Sequence, residues 1–216
     1  MRRLPLALLS VLFALPLQRG GAQIIRGGQF TLRDPQTWVS AGVGWQSGWT
    51  VFDGTTASRW DLGDSQQYGL SIERTVKSGI TLGVRASTSQ PSMDFLNISG
   101  TPLTRQVDAR VSQALGVVHV TTGRDIRSVF ELGVGSTIYS GFRERGTDAQ
   151  LGPSTDADFT FVFSYGLGYS FSRSFHVDVV QDLGTSLHQK TGLAAGEDTS
   201  MRISSTRLIA RLGFGG

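Results

Sequence analysis

The 216-residue chain contains no cysteine, which excludes a disulfide framework, a thiolate metal site and a lipid anchored through cysteine. Lysine is nearly missing as well, occurring only at Lys77 and Lys190. Beyond the first stretch there is no apolar run long enough to cross a bilayer as a helix. Excess charge also vanishes once the N-terminus is set apart. The formal +3 reflects Arg2, Arg3 and Arg19, and without them 17 basic residues face 17 acidic ones. That balance gives no reason to expect nucleic acid as a partner.

What is present begins with MRRLPLALLSVLFALPLQRGGAQ: two arginines, an apolar run from Leu4 to Leu17, and small residues ending at Ala22. This is the layout of a secretory signal peptide over residues 1–22, with a polar lead-in over 23–35 and the mature domain over 36–216. In that domain apolar and polar or small residues alternate eight times. The sixth repeat, FTFVFSYGLGYSF at 159–171, carries Phe159, Phe161, Phe163, Tyr165, Leu167, Tyr169 and Phe171 on one face and Thr, Val, Ser or Gly on the other. Successive side chains of a strand point to opposite faces, so each repeat reads as a strand with one large apolar face.

The connections are more telling than any one strand. Tight turns at about 77–79, 122–125 and 172–174 alternate with long polar connections at about 47–64, 91–103, 143–157 and 185–201. All long loops therefore fall at one end of the sheet and the short turns at the other. The second face is poor in lysine and rich in Gly, Ser and Thr with scattered charges, which suits a packed polar barrel lumen better than the outside of a soluble sandwich. The expected fold is an all-β, eight-stranded antiparallel up-and-down transmembrane barrel, closed because hydrocarbon leaves no backbone group unpaired. A soluble β-barrel or sandwich in the periplasm is the competing fold. Expected lipid-facing aromatics are Trp45, Tyr68, Phe159, Phe161, Phe163, Tyr165, Tyr169 and Phe171. In the fourth strand, Val107, Ala109, Val111, Leu115 and Val117 are expected on that same outer face.

On these residues the chain resembles the small outer-membrane barrels of the OmpA/OmpX-like family, over the barrel domain only. Its last strand resembles their C-terminal assembly signal at Arg207, Leu212 and Phe214, with Ile209 and the trailing Gly215 and Gly216 departing from the pattern. The resemblance implies a bacterial outer-membrane location, contact with outer-membrane lipid and lipopolysaccharide, and insertion by the barrel assembly machinery.

Eight charged residues are expected to point inward and pair there: Glu73, Arg85, Asp108, Arg110, Glu131, Asp178, Arg207 and Arg211. An unpartnered charge in a narrow lumen costs several kcal/mol, so the expected role is a structural ion-pair network. No catalytic residue, metal or cofactor is expected. His119 falls on the lipid-facing parity, and His176 with Asp178 lies near the short turns. His188, near Ser186 and Asp182, reads as a solvated loop residue. Acidic loop residues Asp53, Asp61, Asp64, Asp148, Asp156, Asp158, Glu197 and Asp198 match no calcium-loop spacing. Loop-side aromatics Trp49, Phe52, Trp60, Phe95 and Phe142 fit either an adhesive surface for an unknown ligand or strands continuing above the membrane. The functional expectation is a structural or surface-loop interaction role. A narrow OmpW-like channel for small solutes and a lipid A modifying enzyme are the alternatives.

Overall fold

The computed structural model describes residues 35–54, 56–97, 103–151, 155–188 and 200–215. The signal peptide, the lead-in up to residue 34, Glu197 and Asp198 lie outside the described residues. Eleven strands follow one another: β1 (Thr37–Gln46), β2 (Trp49–Asp53), β3 (Ser58–Leu62), β4 (Ser65–Lys77), β5 (Ile80–Ser89), β6 (Ser92–Asn97), β7 (Leu103–Gly123), β8 (Ile126–Glu144), β9 (Thr155–Ser172), β10 (Phe175–Leu187) and β11 (Ser200–Phe214).

Eight of them close a ring in the order β1, β4, β5, β7, β8, β9, β10, β11, antiparallel at every step. The first and last strands seal it, from Thr37 opposite Phe214 to Gln46 opposite Ser205. The remaining three strands extend the wall at the long-loop end. β2 and β3 form a hairpin, β3 pairs with β6, and β6 lies on the start of β7 beyond the reach of β5. Much of the connections at 47–64 and 91–103 is therefore strand and not loop. Alternation explains it: Trp49, Val51, Trp60, Leu62 and Met93 are large, apolar and buried on one face. At 21, 19 and 18 residues, β7, β8 and β9 also exceed the roughly 9–11 residues that cross a bilayer. At the opposite end the hairpins turn in two residues, helped by positive φ at Gly79 (76°) and Gly123 (111°).

The outer face is an apolar belt. Trp45, Tyr68, Phe159, Phe161, Phe163, Tyr165, Tyr169 and Phe171 are all exposed, as are Leu70, Ile72, Leu82, Val84, Leu132, Val134, Val179 and Leu208. A continuous exposed surface of this kind is far larger than the apolar patches water-soluble monomers carry. Every aromatic assigned to the outer face is on it.

One strand is inverted relative to the sequence reading. On β7, Val107, Ala109, Val111, Leu115 and Val117 are buried inside the barrel, and Asp108 and Arg110 stand outside. Register dictates this. Leu115 sits opposite Arg85 on β5 and opposite Gly135 on β8, and Val117 sits opposite Gly133. Cross-strand partners share a face, so the inward Arg85 carries Leu115 inward with it. The glycines of β8 leave the room: a side chain at Gly133 would meet Leu115 at 3.2 Å. His119, on the same parity, also points inward rather than to lipid.

Candidate functional site

The lumen is layered along the barrel axis. At the short-turn end a vestibule lined by Trp38, Thr75, Thr121, Arg127, His176 and Arg211 opens to solvent. Above it lies a band of buried charges. Arg207, from β11, makes a bidentate pair with Asp182 of β10 (2.7 and 2.8 Å) and reaches Glu131 of β8 at 3.2 Å. Arg85, from β5, donates to the same Glu131 and lies 3.7 Å from Asp182. Two acids thus hold two guanidiniums in a closed four-membered ring of charges. Arg211 links this ring to a second group. It pairs with Glu73 at 2.6 Å, donates to His119 Nε2, lies over the Trp38 ring and stands 3.9 Å from Asp178. Asp178 in turn accepts from Arg127 at 2.7 Å. His119 faces Glu131 through Nδ1 at 3.4 Å, so both its ring nitrogens are engaged.

Six of the eight charges assigned to the lumen meet here: Glu73, Arg85, Glu131, Asp178, Arg207 and Arg211. Asp108 and Arg110 do not. Asp108 is exposed and pairs with Arg145 at 2.7 Å outside the wall, for the register reason given above. Arg127, Asp182 and His119 complete the network and were missed, although Arg127 shares the parity of Glu131 and Asp182 that of Asp178. The cavity left among Ser40, Gln67, Glu73, Arg85, His119, Glu131 and Arg207 is about 20 Å³, room for about one water.

Further up, Gln46, Ser89, Gln113, Thr137, Thr160 and Ser186 form a layer of small hydrogen-bonded side chains. An apolar plug then closes the long-loop end. Trp49, Val51, Trp60, Leu62, Met93, Val107, Val111, Tyr139, Phe142 and Met201 pack as one cluster, with Trp60 edge-on to Tyr139 at 5.8 Å and against Phe142 at 4.9 Å. Trp49, Trp60 and Phe142, open as adhesive residues in the sequence, are buried inside the mouth; Phe52 instead lies under the half-buried Arg59.

Beside this plug, beyond the outermost belt residues Phe159 and Leu187, stands His188. It is buried, not solvated: its side chain is 1% exposed. Nδ1 bonds Asp158 at 2.8 Å, and Nε2 lies 3.6 Å from both Asp53 and Asp156. Trp60 packs edge-on against the ring at 5.4 Å. Burial works against the charged imidazole, but the hydrogen bond to Asp158 and the carboxylates of Asp53 and Asp156 outweigh it and raise the pKa to about 9. A histidine whose folded pKa exceeds its unfolded value near 6.5 contributes stability fully below pH 6.5, and that contribution is lost as pH rises through 9. In chelator-treated detergent buffer, the urea midpoint should therefore correspond to about 2–3 kcal/mol less stability at pH 9.5 than at pH 6. The difference should shrink in His188→Gln, while an unchanged pH profile in that variant would assign the loss to other groups.

No protein-family model matches the chain, and no curated protein matches it in sequence. Its likeness is to solved structures. Neisserial surface protein A superimposes with a TM-score of 0.58 at 9% identity, covering 82% of this chain and 97% of that one. The fold is that of the small outer-membrane β-barrels. Weaker matches are the attachment invasion locus protein Ail of Yersinia pestis (TM-score 0.46, 14% identity, 83% of this chain and 99% of that one) and the N-terminal barrel of Pseudomonas aeruginosa OprF (0.42, 12%, 82% and 99%). An outer-membrane-type barrel accounts for both the ring closure and the direction of the apolar belt.

Proposed function

We propose that the protein is an integral barrel of a bacterial outer membrane, exported by its N-terminal leader, with a closed lumen and a structural or surface-presenting role. The observation that carries this reading is the double closure of the lumen. The Arg85, Glu131, Asp182 and Arg207 ring spans it from four strands, and the Trp60 cluster seals the mouth above. An eight-stranded interior is just wide enough for side chains to fill, so solute flow would require displacing both layers. The proposed partners are outer-membrane lipid and lipopolysaccharide around the belt and the barrel assembly machinery during insertion. In support of the latter, Leu212 and Phe214 are exposed on the outer face of β11 and Arg207 points inward. The exposed side of the long-loop end is where a surface ligand would meet the protein.

Catalysis draws little support from the same geometry. Ser186 Oγ bonds Thr160 at 2.8 Å and the Phe159 carbonyl, not His188, so Ser186 is not activated by the histidine at the mouth. His176 and Asp178 lie at the opposite end from the outer leaflet.

Purified protein in planar bilayers is expected to give no steady single-channel steps, and the unboiled form should migrate differently from the boiled one on SDS gels. Regular conductance steps would establish the channel reading instead. Recovery from the periplasm without detergent would remove the membrane reading altogether.

A further inference from the structure

Among the described residues, two groups bring three histidine and acidic side chains together: Glu73, His119 and Glu131 in the charge band, and Asp53, Asp156 and His188 at the mouth. The first is already neutralised. Glu73 pairs with Arg211, Glu131 with Arg85 and Arg207, and both nitrogens of His119 are engaged. The second is different in kind. His188 is buried, yet Nε2 makes no hydrogen bond among the described residues. It is aimed between Asp53 Oδ1 and Asp156 Oδ2, 3.6 Å from each.

We propose that Asp53, Asp156 and Nε2 of His188 bind one divalent transition-metal ion, zinc by preference, at the long-loop mouth of the barrel. The spacing is too long for hydrogen bonds and suits a shared ion. Tetrahedral donors at about 2.1 Å from zinc lie about 3.4 Å from one another, close to the 3.6 Å that separates Nε2 from each of the two carboxylate oxygens. The other ring nitrogen is fixed as a metal-bound histidine requires. Asp158 accepts from Nδ1 at 2.8 Å, setting the tautomer that leaves Nε2 available to a metal. Asp53 is positioned too, because its Oδ2 accepts the Thr56 backbone N–H at 3.1 Å and Oδ1 is turned towards the imidazole.

One nitrogen and two carboxylates favour zinc over calcium or magnesium, which take oxygen donors in larger number. Asp156 is 30% exposed while Asp53 and His188 are buried, so the ion has an entry path from the outer side and a fourth position for water. Binding expels the Nε2 proton, and the divalent charge neutralises the two carboxylates more fully than the imidazolium does. The three ligands come from β2, β9 and the end of β10. An ion there would tie the extended β2 hairpin to the opposite wall and lock the mouth shut.

The test uses untagged protein purified from membranes in detergent and stripped with chelator, titrated with Zn²⁺ by calorimetry and with Co²⁺ by visible absorption. One ion per chain is expected, with cobalt giving the intense bands of a low-coordinate site. His188→Gln and Asp156→Asn should each weaken binding at least tenfold, whereas His176→Gln, at the far end of the lumen, should bind as the parent does. The boiled and unboiled gel shift, run on every variant, shows that the barrel is folded and keeps this result separate from the membrane reading. Absence of uptake by the folded parent protein, or undiminished uptake by folded His188→Gln, would overturn the proposal.

Discussion

Glu131→Ala should lose about 3–5 kcal/mol of stability, because removing one member of a buried charge group strands the others. Glu131 is the acid shared by Arg85 and Arg207 and faced by His119. Without it two guanidiniums share Asp182 and His119 loses the partner of its Nδ1, in a space with room for about one water. The loss reflects the burial of uncompensated charge and not a large intrinsic benefit of the pairs. A double replacement, Arg85→Met with Glu131→Leu, should therefore recover much of what Glu131→Ala loses. Denaturant titration followed by the gel shift measures all three. A change under about 0.5 kcal/mol for Glu131→Ala would mean that the charges are hydrated, and a wet charge band would undercut the closed lumen directly.

Phe163→Arg should cost about 2–4 kcal/mol and the same change at Phe159 or Phe171 only about 0–1, because the penalty for a cation on the lipid face depends on depth. Phe163 lies midway along β9, opposite Leu132 on β8 and Leu183 on β10, while Phe159 and Phe171 lie near its ends. The graded profile is the diagnostic feature. A lipid bilayer imposes it, but a face turned to water or against a soluble partner would not. Folding into vesicles of fixed composition gives the three values on one scale, and a flat profile would contradict the assignment of this face to lipid.

The eight-stranded ring, the turns and the outer aromatic face were legible because period-2 alternation and loop length are local properties of the chain. The inversion of β7 was not. Alternation says that Val107, Ala109, Val111, Leu115 and Val117 share a face but is silent on which one. The choice follows from register against Arg85 on β5 and Gly133 and Gly135 on β8, which no single segment contains. The β7 misreading also displaced Asp108, Arg110 and His119 from their true sides. The mouth cluster was illegible for a related reason. Asp53, Asp156 and His188 lie in three connections whose spacing in the chain has no pattern, and they converge only because β2, β9 and β10 end at the same height. Trp49 and Trp60 could be read as buried only once their connection proved to be a hairpin continuing the wall.

The pairing of β1 with β11 places the first and last strands side by side, which has a consequence for how the molecule is made. Arg211 and Glu73 are 138 residues apart, Arg207 and Glu131 76, and Arg85 and Glu131 46. The pairs involving β11 cannot form until the final strand is delivered, so the lumen charges of a growing barrel remain in water until the seam shuts. Desolvation and ion pairing then happen together, in the last step of assembly. Partly closed barrels gain almost none of that stabilisation, and the transition between open sheet and sealed cylinder should be all-or-none, with high contact order making it slow. The interior charges thereby act as a check on completion: a chain truncated before Arg207 would lack the counterions that make a dry lumen tolerable.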